Sequence, residues 1–334
     1  MPTQEEVKKA LDSVLVPGVK RSLVKLNLVK DISLNEEKLD ITLFNAALME
    51  GTRAWLTAKV KETAAKMNGV KDVNVIFAEA KPKELNNVKN VIAIMSGKGG
   101  VGKSVVSSLT AITLRRQGYE VGILDADITG PSIPKMFGVS GPPAAAESGM
   151  LPVSSNSGIG VMSVNLLLPT EDDAVIWRGP LIGHMITQFW EEVLWGNLDY
   201  LIVDLPPGTA DAPLTVMQQL PISGIIIVFT PQSLTAMVVR KAIKMAKQMQ
   251  KPILGVVENM SYLYVPEIKK KIEIFGKSRA EGMAQSAGAP LLGQLPLDPE
   301  LVKLCDEGNI ERYNAEAYDT FSKTLSSVLA NKNH

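Results

Sequence analysis

One octapeptide constrains this chain more than anything else in it. Gly97-Lys98-Gly99-Gly100-Val101-Gly102-Lys103-Ser104 fits the pattern G-x-x-x-x-G-K-[ST]. The apolar run Val91 to Met95 leads into it, and an amphipathic stretch, Ser104 to Gln117, leads out. Strand, glycine-rich loop and helix in that order form a P-loop, in which backbone N–H groups and a helix N-terminus face a polyphosphate. The glycines let the backbone approach without Cβ clashes. The pattern predicts Lys103 on the β- and γ-phosphates of a nucleotide and the Ser104 hydroxyl on Mg²⁺. Lys98 is a second lysine that the plain motif does not require.

The rest of the chain is consistent with the fold this motif needs. From Val91 on, short apolar runs alternate with helical stretches. The runs are Val91 to Met95, Val121 to Leu124, Leu201 to Val203, Gly224 to Phe229, Ile253 to Val257 and Leu291 to Leu295. Unbroken apolar runs suit strands buried on both faces of a parallel sheet. The predicted fold class is therefore α/β, a doubly wound and mainly parallel sheet. Pro142 to Gly158, rich in Pro, Ala, Ser and Gly, reads as a long loop.

Residues 1–80 read differently. Thr3 and Glu6 form a capping-box pattern before Val7, Ala10, Leu11 and Val14 at helical spacing. Leu39, Ile41 and Leu43 alternate with polar neighbours, Ala54 to Met67 looks helical, and Val73, Val75 and Phe77 alternate again. The order α-β-β-α-β predicts a small α+β domain. The polar, non-periodic residues 81–89 read as a linker, and residues 90–334 as the P-loop domain.

Two carboxylate segments end apolar runs. Asp125-Ala126-Asp127 follows one, and Asp204-Leu205-Pro206-Pro207-Gly208-Thr209 follows another. The C-terminal ends of parallel strands are where open α/β sheets bind ligands. Phosphoryl transfer needs a metal near the phosphates and an oriented water. Asp204 is assigned to the Mg²⁺ shell. Asp127 is assigned to the attacking water and γ-phosphate in the same metal neighbourhood, with Asp125 beside it. Either segment alone would read as a strand-end turn; the P-loop turns the balance.

Lys plus Arg and Asp plus Glu each number 35, so nothing global favours nucleic acid or a membrane surface. Lys269-Lys270-Lys271 reads as a solvated edge. The start of the chain lacks the apolar segment of a secretory signal, and Cys305 is the only cysteine, which suits a reducing cytoplasm. His184 and His334 form no recognisable ligand cluster.

Lys98 to Ser104 resembles the deviant P-loop of the septum-site, plasmid-partition, nitrogenase-iron and arsenite ATPases. That resemblance implies ATP hydrolysis by a homodimer, with Lys98 crossing to the partner's nucleotide. Longer stretches are similar to one branch, the Mrp/ApbC iron–sulfur cluster carrier ATPases. They include Asp125 to Pro134, Val175 to Pro180, Trp195 to Tyr200, Asp204 to Thr209, Val256 to Ser261 and Pro296 to Pro299. The first domain is similar to the small iron–sulfur-assembly domain often fused to these ATPases, most closely at Leu26 to Ile32.

The resemblance implies that Asn259 bonds the adenine, that Pro296 to Pro299 lie near it, and that Thr209 joins a switch after Asp204. It also implies an iron–sulfur cluster as cargo, with assembly proteins or apo-clients as partners. Trp177 and Arg178 read as core filler or loop anchors. In one respect the chain departs from the family. Members carry a Cys-Pro-x-Cys pair after the Asn-Met-Ser segment, where this chain has Val265-Pro266-Glu267-Ile268. Neither Val265 nor Ile268 can ligate iron, since clusters are held mainly by thiolates. Cys305 reads as a buried residue on a helix and, failing that, as a partial cluster ligand.

Overall fold

The computed structural model describes residues 2–35, 37–128, 130–168 and 179–332. The segment Val175 to Arg178 and His334 therefore lie outside the described residues.

The small domain opens with α1 (Gln4–Leu11), whose capping box is made as the sequence predicts: the Glu6 N–H donates to the Thr3 hydroxyl at 3.2 Å and the Thr3 N–H to the Glu6 carboxylate at 2.7 Å. Strands β1 (Val29–Asn35) and β2 (Lys38–Phe44) pair antiparallel. Helix α2 (Glu50–Ala65) crosses over to β3 (Asp72–Ala78), which pairs parallel with β2. Leu39, Ile41 and Leu43 all point inward, because a period of two on one face is what a half-buried strand requires. The stretch read as a linker carries a short helix, α3 (Pro82–Leu85), and the first residues of β4 (Asn87–Ser96).

The larger domain runs α4 (Lys103–Arg116), β5 (Val121–Asp125), α5 (Ile133–Phe137), and the short strands β6 (Ala145–Ala146), β7 (Gly149–Met150) and β8 (Val153–Ser154). It continues through β9 (Gly160–Ser163), α6 (Gly179–Glu191), β10 (Asn197–Asp204), α7 (Asp211–Gln219), β11 (Gly224–Phe229), α8 (Ser233–Gln248) and β12 (Ile253–Glu258). Then come β13 (Leu263–Val265), β14 (Lys270–Ile272), α9 (Ala280–Ala287), β15 (Leu291–Gln294), α10 (Pro299–Asp306) and α11 (Glu316–Lys332). Pro142 to Gly158 is thus not one loop, since it holds three two-residue strands.

Eight strands form one sheet in the order β15-β12-β11-β4-β10-β5-β9-β8. Every neighbouring pair is parallel except β8 with β9. The strands β11, β10 and β5 are apolar on both faces because a core lies on each side. The chain leaves β4 toward β5 on one side and later returns to β11 on the other. That reversal opens a crevice at the C-terminal end of β4, where such sheets bind ligands.

The small domain sits at the opposite end of the strands, near the start of β5. Its core includes Leu151 and Leu194 from the larger domain. Arg21 is 2 % exposed, yet its guanidinium is fully engaged. It donates to the carbonyls of Trp195 at 2.7 Å, Asn197 at 2.9 Å and Lys25 at 3.2 Å, and pairs with Glu120 at 3.1 Å. A buried cation is tolerated only with such complete pairing. Gly196 has φ +62°, and a Cβ there would lie 2.6 Å from the Leu26 Cα, so the domains meet backbone to backbone. Arg21→Ala leaves three carbonyls without this donor, and is expected to destabilise the chain by about 3 kcal/mol in urea unfolding. A change under about 0.5 kcal/mol, the range of an ordinary surface substitution, would show that this contact does not hold the domains together.

Candidate active site

Parallel register places the acidic residues. Asp204 ends β10 opposite Ile94 of β4 and opposite Asp125 of β5. The Ala126 N–H donates to the Asp204 carbonyl at 3.0 Å and the Leu205 N–H to the Ile94 carbonyl at 3.1 Å, so the strand ends are tied together just where the chain turns away. Asp204 and Asp125 are both fully buried. Buried carboxylates need partners, and the first turns of α4 supply those of Asp204. Ser104 Oγ donates to Asp204 Oδ2 at 2.6 Å, and Ser107 Oγ to Asp204 Oδ1 at 2.5 Å. Lys103 Nζ lies 2.7 Å from Asp204 Oδ2 and 3.5 Å from Asp127 Oδ2.

These groups shift one another. Burial works against the Lys103 charge, but Asp204, Asp127 and Asp125 outweigh it, so its pKa is raised. It remains an ammonium at any physiological pH. Asp125 moves the other way from an ordinary carboxylate. Burial and then the Asp204 charge push its pKa up, and Lys103 only partly offsets them. Asp125 accepts from the Asp127 N–H at 3.2 Å and from the Ile133 N–H and Ser163 Oγ, both at 3.3 Å. It holds the loop that carries Asp127.

The P-loop is held from behind. Gly100 and Gly102 have φ +76° and +78°, a region that side chains rarely adopt. Asn259 follows β12, is 3 % exposed, and donates from Nδ2 to the Val101 carbonyl at 2.9 Å. A Cβ on Gly102 would lie 2.1 Å from that same Nδ2. Asn259 therefore braces the loop, while Pro296 lines a cavity of about 790 Å³ with Tyr262, Leu297 and Asp298. The Leu297 N–H donates to the Tyr262 carbonyl at 2.8 Å, which ties these two segments together.

The structure thus gathers Lys103, Ser104, Asp125, Asp127 and Asp204 at one point, and sets Asn259 against the loop. The Ser104 hydroxyl beside the Asp204 carboxylate is a pair of hard oxygen donors, the kind Mg²⁺ takes. Other candidates lie elsewhere. The Lys98 ammonium bonds Gln232 Oε1 at 2.8 Å, away from its own loop. His184 is exposed on α6. Cys305 packs, half-buried, on α10 against the core. Burial, with Asp306 beside it, pushes its thiol up to about 11, so the thiolate that would ligate iron is scarce at neutral pH. Val265 ends β13, and Ile268, 55 % exposed, lies in the turn to β14. Among the described residues no group of three or more His, Cys, Asp or Glu is placed to hold a metal ion. Sequence reading missed Ser107 and Gln232. Ser107 had a signal, since it lies three residues after Ser104 on one helix face.

Residues 87–331 match the family described as NUBPL iron-transfer P-loop NTPase. The chain belongs to that family. A Synechocystis protein named iron-sulfur cluster carrier protein is 38 % identical, with 99 % of both chains covered. A Clostridium perfringens protein of the same name is 45 % identical over 69 % of this chain and 84 % of its own. Among solved structures, a nucleotide-binding protein from Archaeoglobus fulgidus in complex with ADP is 45 % identical. It superposes with a TM-score of 0.64 over 72 % of this chain and 96 % of its own. Like other iron-transfer P-loop NTPases, this chain is a nucleotide-binding protein with an α/β core.

Gly102→Ala combines a disfavoured φ with the Asn259 collision. Its nucleotide affinity is expected to fall by roughly fivefold to 150-fold in equilibrium binding of a fluorescent ATP analogue, from about 1–3 kcal/mol of local strain. Gly282→Ala, in open space on α9, is the control. Equal affinity in both variants would contradict the tight loop geometry.

Proposed function

We propose that this chain is a Mg²⁺-dependent ATPase that works as a homodimer in iron–sulfur cluster handling in the cytoplasm. One observation carries the proposal: the buried Lys103–Asp204 pair, with Ser104 and Asp127 beside it, at the mouth of a P-loop. A triphosphate seated in Gly97 to Ser104 meets backbone N–H groups and the α4 N-terminus. Lys103 is the cation that answers its β- and γ-phosphates. Ser104 and Asp204 are the residues to hold Mg²⁺, which when bound neutralises phosphate charge.

The other side chains then have defined tasks. Asp127, 8 % exposed, is assigned to orient a water toward the γ-phosphate. Asp125 positions Asp127 through its backbone N–H. Thr209, half-buried after Asp204, is assigned to a switch that follows the γ-phosphate. The Gly208 N–H donates to the Ser96 carbonyl at 3.1 Å, so the loop after Asp204 is tied to the strand that feeds the P-loop. Asn259 and Pro296 are assigned to the adenine side. Lys98 is assigned to the partner's nucleotide. Residues 1–80 are assigned to contacts with assembly proteins or apo-clients.

The names of the relatives support a cluster as cargo. The local chemistry supports a second reading, a nucleotide-switched assembly factor that acts on clusters held by other proteins. Val265 and Ile268 carry no thiol, and the Cys305 thiol is held protonated. Anaerobic incubation with ferrous iron and sulfide, followed by iron and sulfide analysis, separates the two. With ATP hydrolysis measured on the same sample, the assembly-factor reading expects phosphate release and far less than one cluster per dimer. A stoichiometric cluster, lost on Cys305→Ala, supports the carrier reading. Phosphate release that survives Lys103→Ala would overturn the ATPase assignment itself.

A further inference from the structure

The side chain of Lys98 is already occupied within its own protomer. Its ammonium donates to Gln232 Oε1 at 2.8 Å, and both residues are half-buried. The sheet brings them together. Strand β11 lies directly beside β4, with Val228 opposite Ser96, so the segment leaving β11 passes the segment leaving β4. Gln232 is the residue just before α8, the position where a side chain commonly caps the helix. It makes no such cap bond. Its amide oxygen is spent on Lys98 instead.

The backbone keeps this pairing in register. A Cβ on Gly97 would lie 2.7 Å from the carbonyl carbon and oxygen of Val238, in the second turn of α8. The root of the P-loop is therefore pressed against that helix, and neither can slide past the other without a collision. On the other side Ser96 Oγ donates to the Lys98 carbonyl at 3.0 Å, which fixes the Lys98 backbone. Only the side chain is left to move. Its partner is a neutral amide, a weaker hold on an ammonium than a carboxylate or a phosphate.

We propose that Gln232 is a positioning residue that parks Lys98 against its own protomer and releases it when a second copy presents a nucleotide triphosphate. The proposal rests on the reading that Lys98 acts across a dimer. Gln232 then sets how readily that dimer forms, because every association must first break this bond in both protomers.

The test is ATP-dependent self-association, followed by sedimentation across a range of protein concentrations with Mg²⁺ and a slowly hydrolysed ATP analogue. Gln232→Ala is expected to lower the half-association concentration by roughly tenfold to a hundredfold, threefold to tenfold for each of the two such hydrogen bonds that one dimer breaks. Gln232→Glu, which gives Lys98 a charged acceptor, is expected to raise it by a similar factor. A structural defect at the start of α8 would move both variants the same way, so the opposite signs are diagnostic. Lys98→Ala separates the two layers of the argument. If it leaves association intact, the trans-acting lysine is wrong. If it abolishes association while both Gln232 variants behave as wild type, or shift together, the parking role alone is wrong.

Discussion

A lysine and a buried aspartate hold this molecule's working end together. Lys103 and Asp204 meet at 2.7 Å beneath the P-loop, with Asp204 fully buried. A buried pair of that kind is a poor source of net stability, since desolvation offsets most of the attraction. Its value lies in specification. Asp204 fixes where β10 ends, Lys103 fixes where α4 begins, and the two serines at Ser104 and Ser107 lock the helix onto the strand. A polyphosphate entering the loop competes for the same ammonium and the same hydroxyl.

The distribution of rigidity follows from this. On one side of the P-loop, Asn259 presses against Gly102. On the other, α8 presses against Gly97. The loop is confined by the Asn259 side chain at Gly102 and by the α8 backbone at Gly97, which leaves little room for its own backbone to shift. At the far end of the sheet, Arg21 clamps the small domain onto the ends of β5 and β10. That domain shares core residues with its neighbour rather than hanging from a tether. Residues 81–89 show why: Asn86 donates to the Val193 carbonyl at 2.9 Å and Asn87 begins a central strand.

Much of this was legible in the sequence, and the gaps have physical reasons. The P-loop, the acidic strand ends and the parallel sheet were readable because each is a local pattern with one structural meaning. The capping box at Thr3 was readable for the same reason. The strands β8 and β9 were missed. Gly160 to Ser163 is short, and its burial comes from the sheet rather than from an apolar run of its own. The linker reading failed on Asn86 and Asn87, whose polarity serves inter-element hydrogen bonds rather than solvent. Gln232 and Arg21 had no sequence signal, because their partners lie 134 residues and up to 176 residues away. That Val265 and Ile268 carry no thiol was visible at once, since it needs no geometry.

The site assembled by Lys103, Asp204, Ser104 and Asp127 is proposed to hydrolyse ATP, with two chains cooperating to do so. Phosphate release by the purified chain, measured with Mg²⁺ and saturating ATP over a wide range of protein concentrations, tests both parts together. The rate per chain is expected to rise with concentration and then level as the dimer fills. A rate per chain that is constant from the lowest concentration upward would contradict cooperation between chains, and no release at any concentration would contradict the ATPase itself.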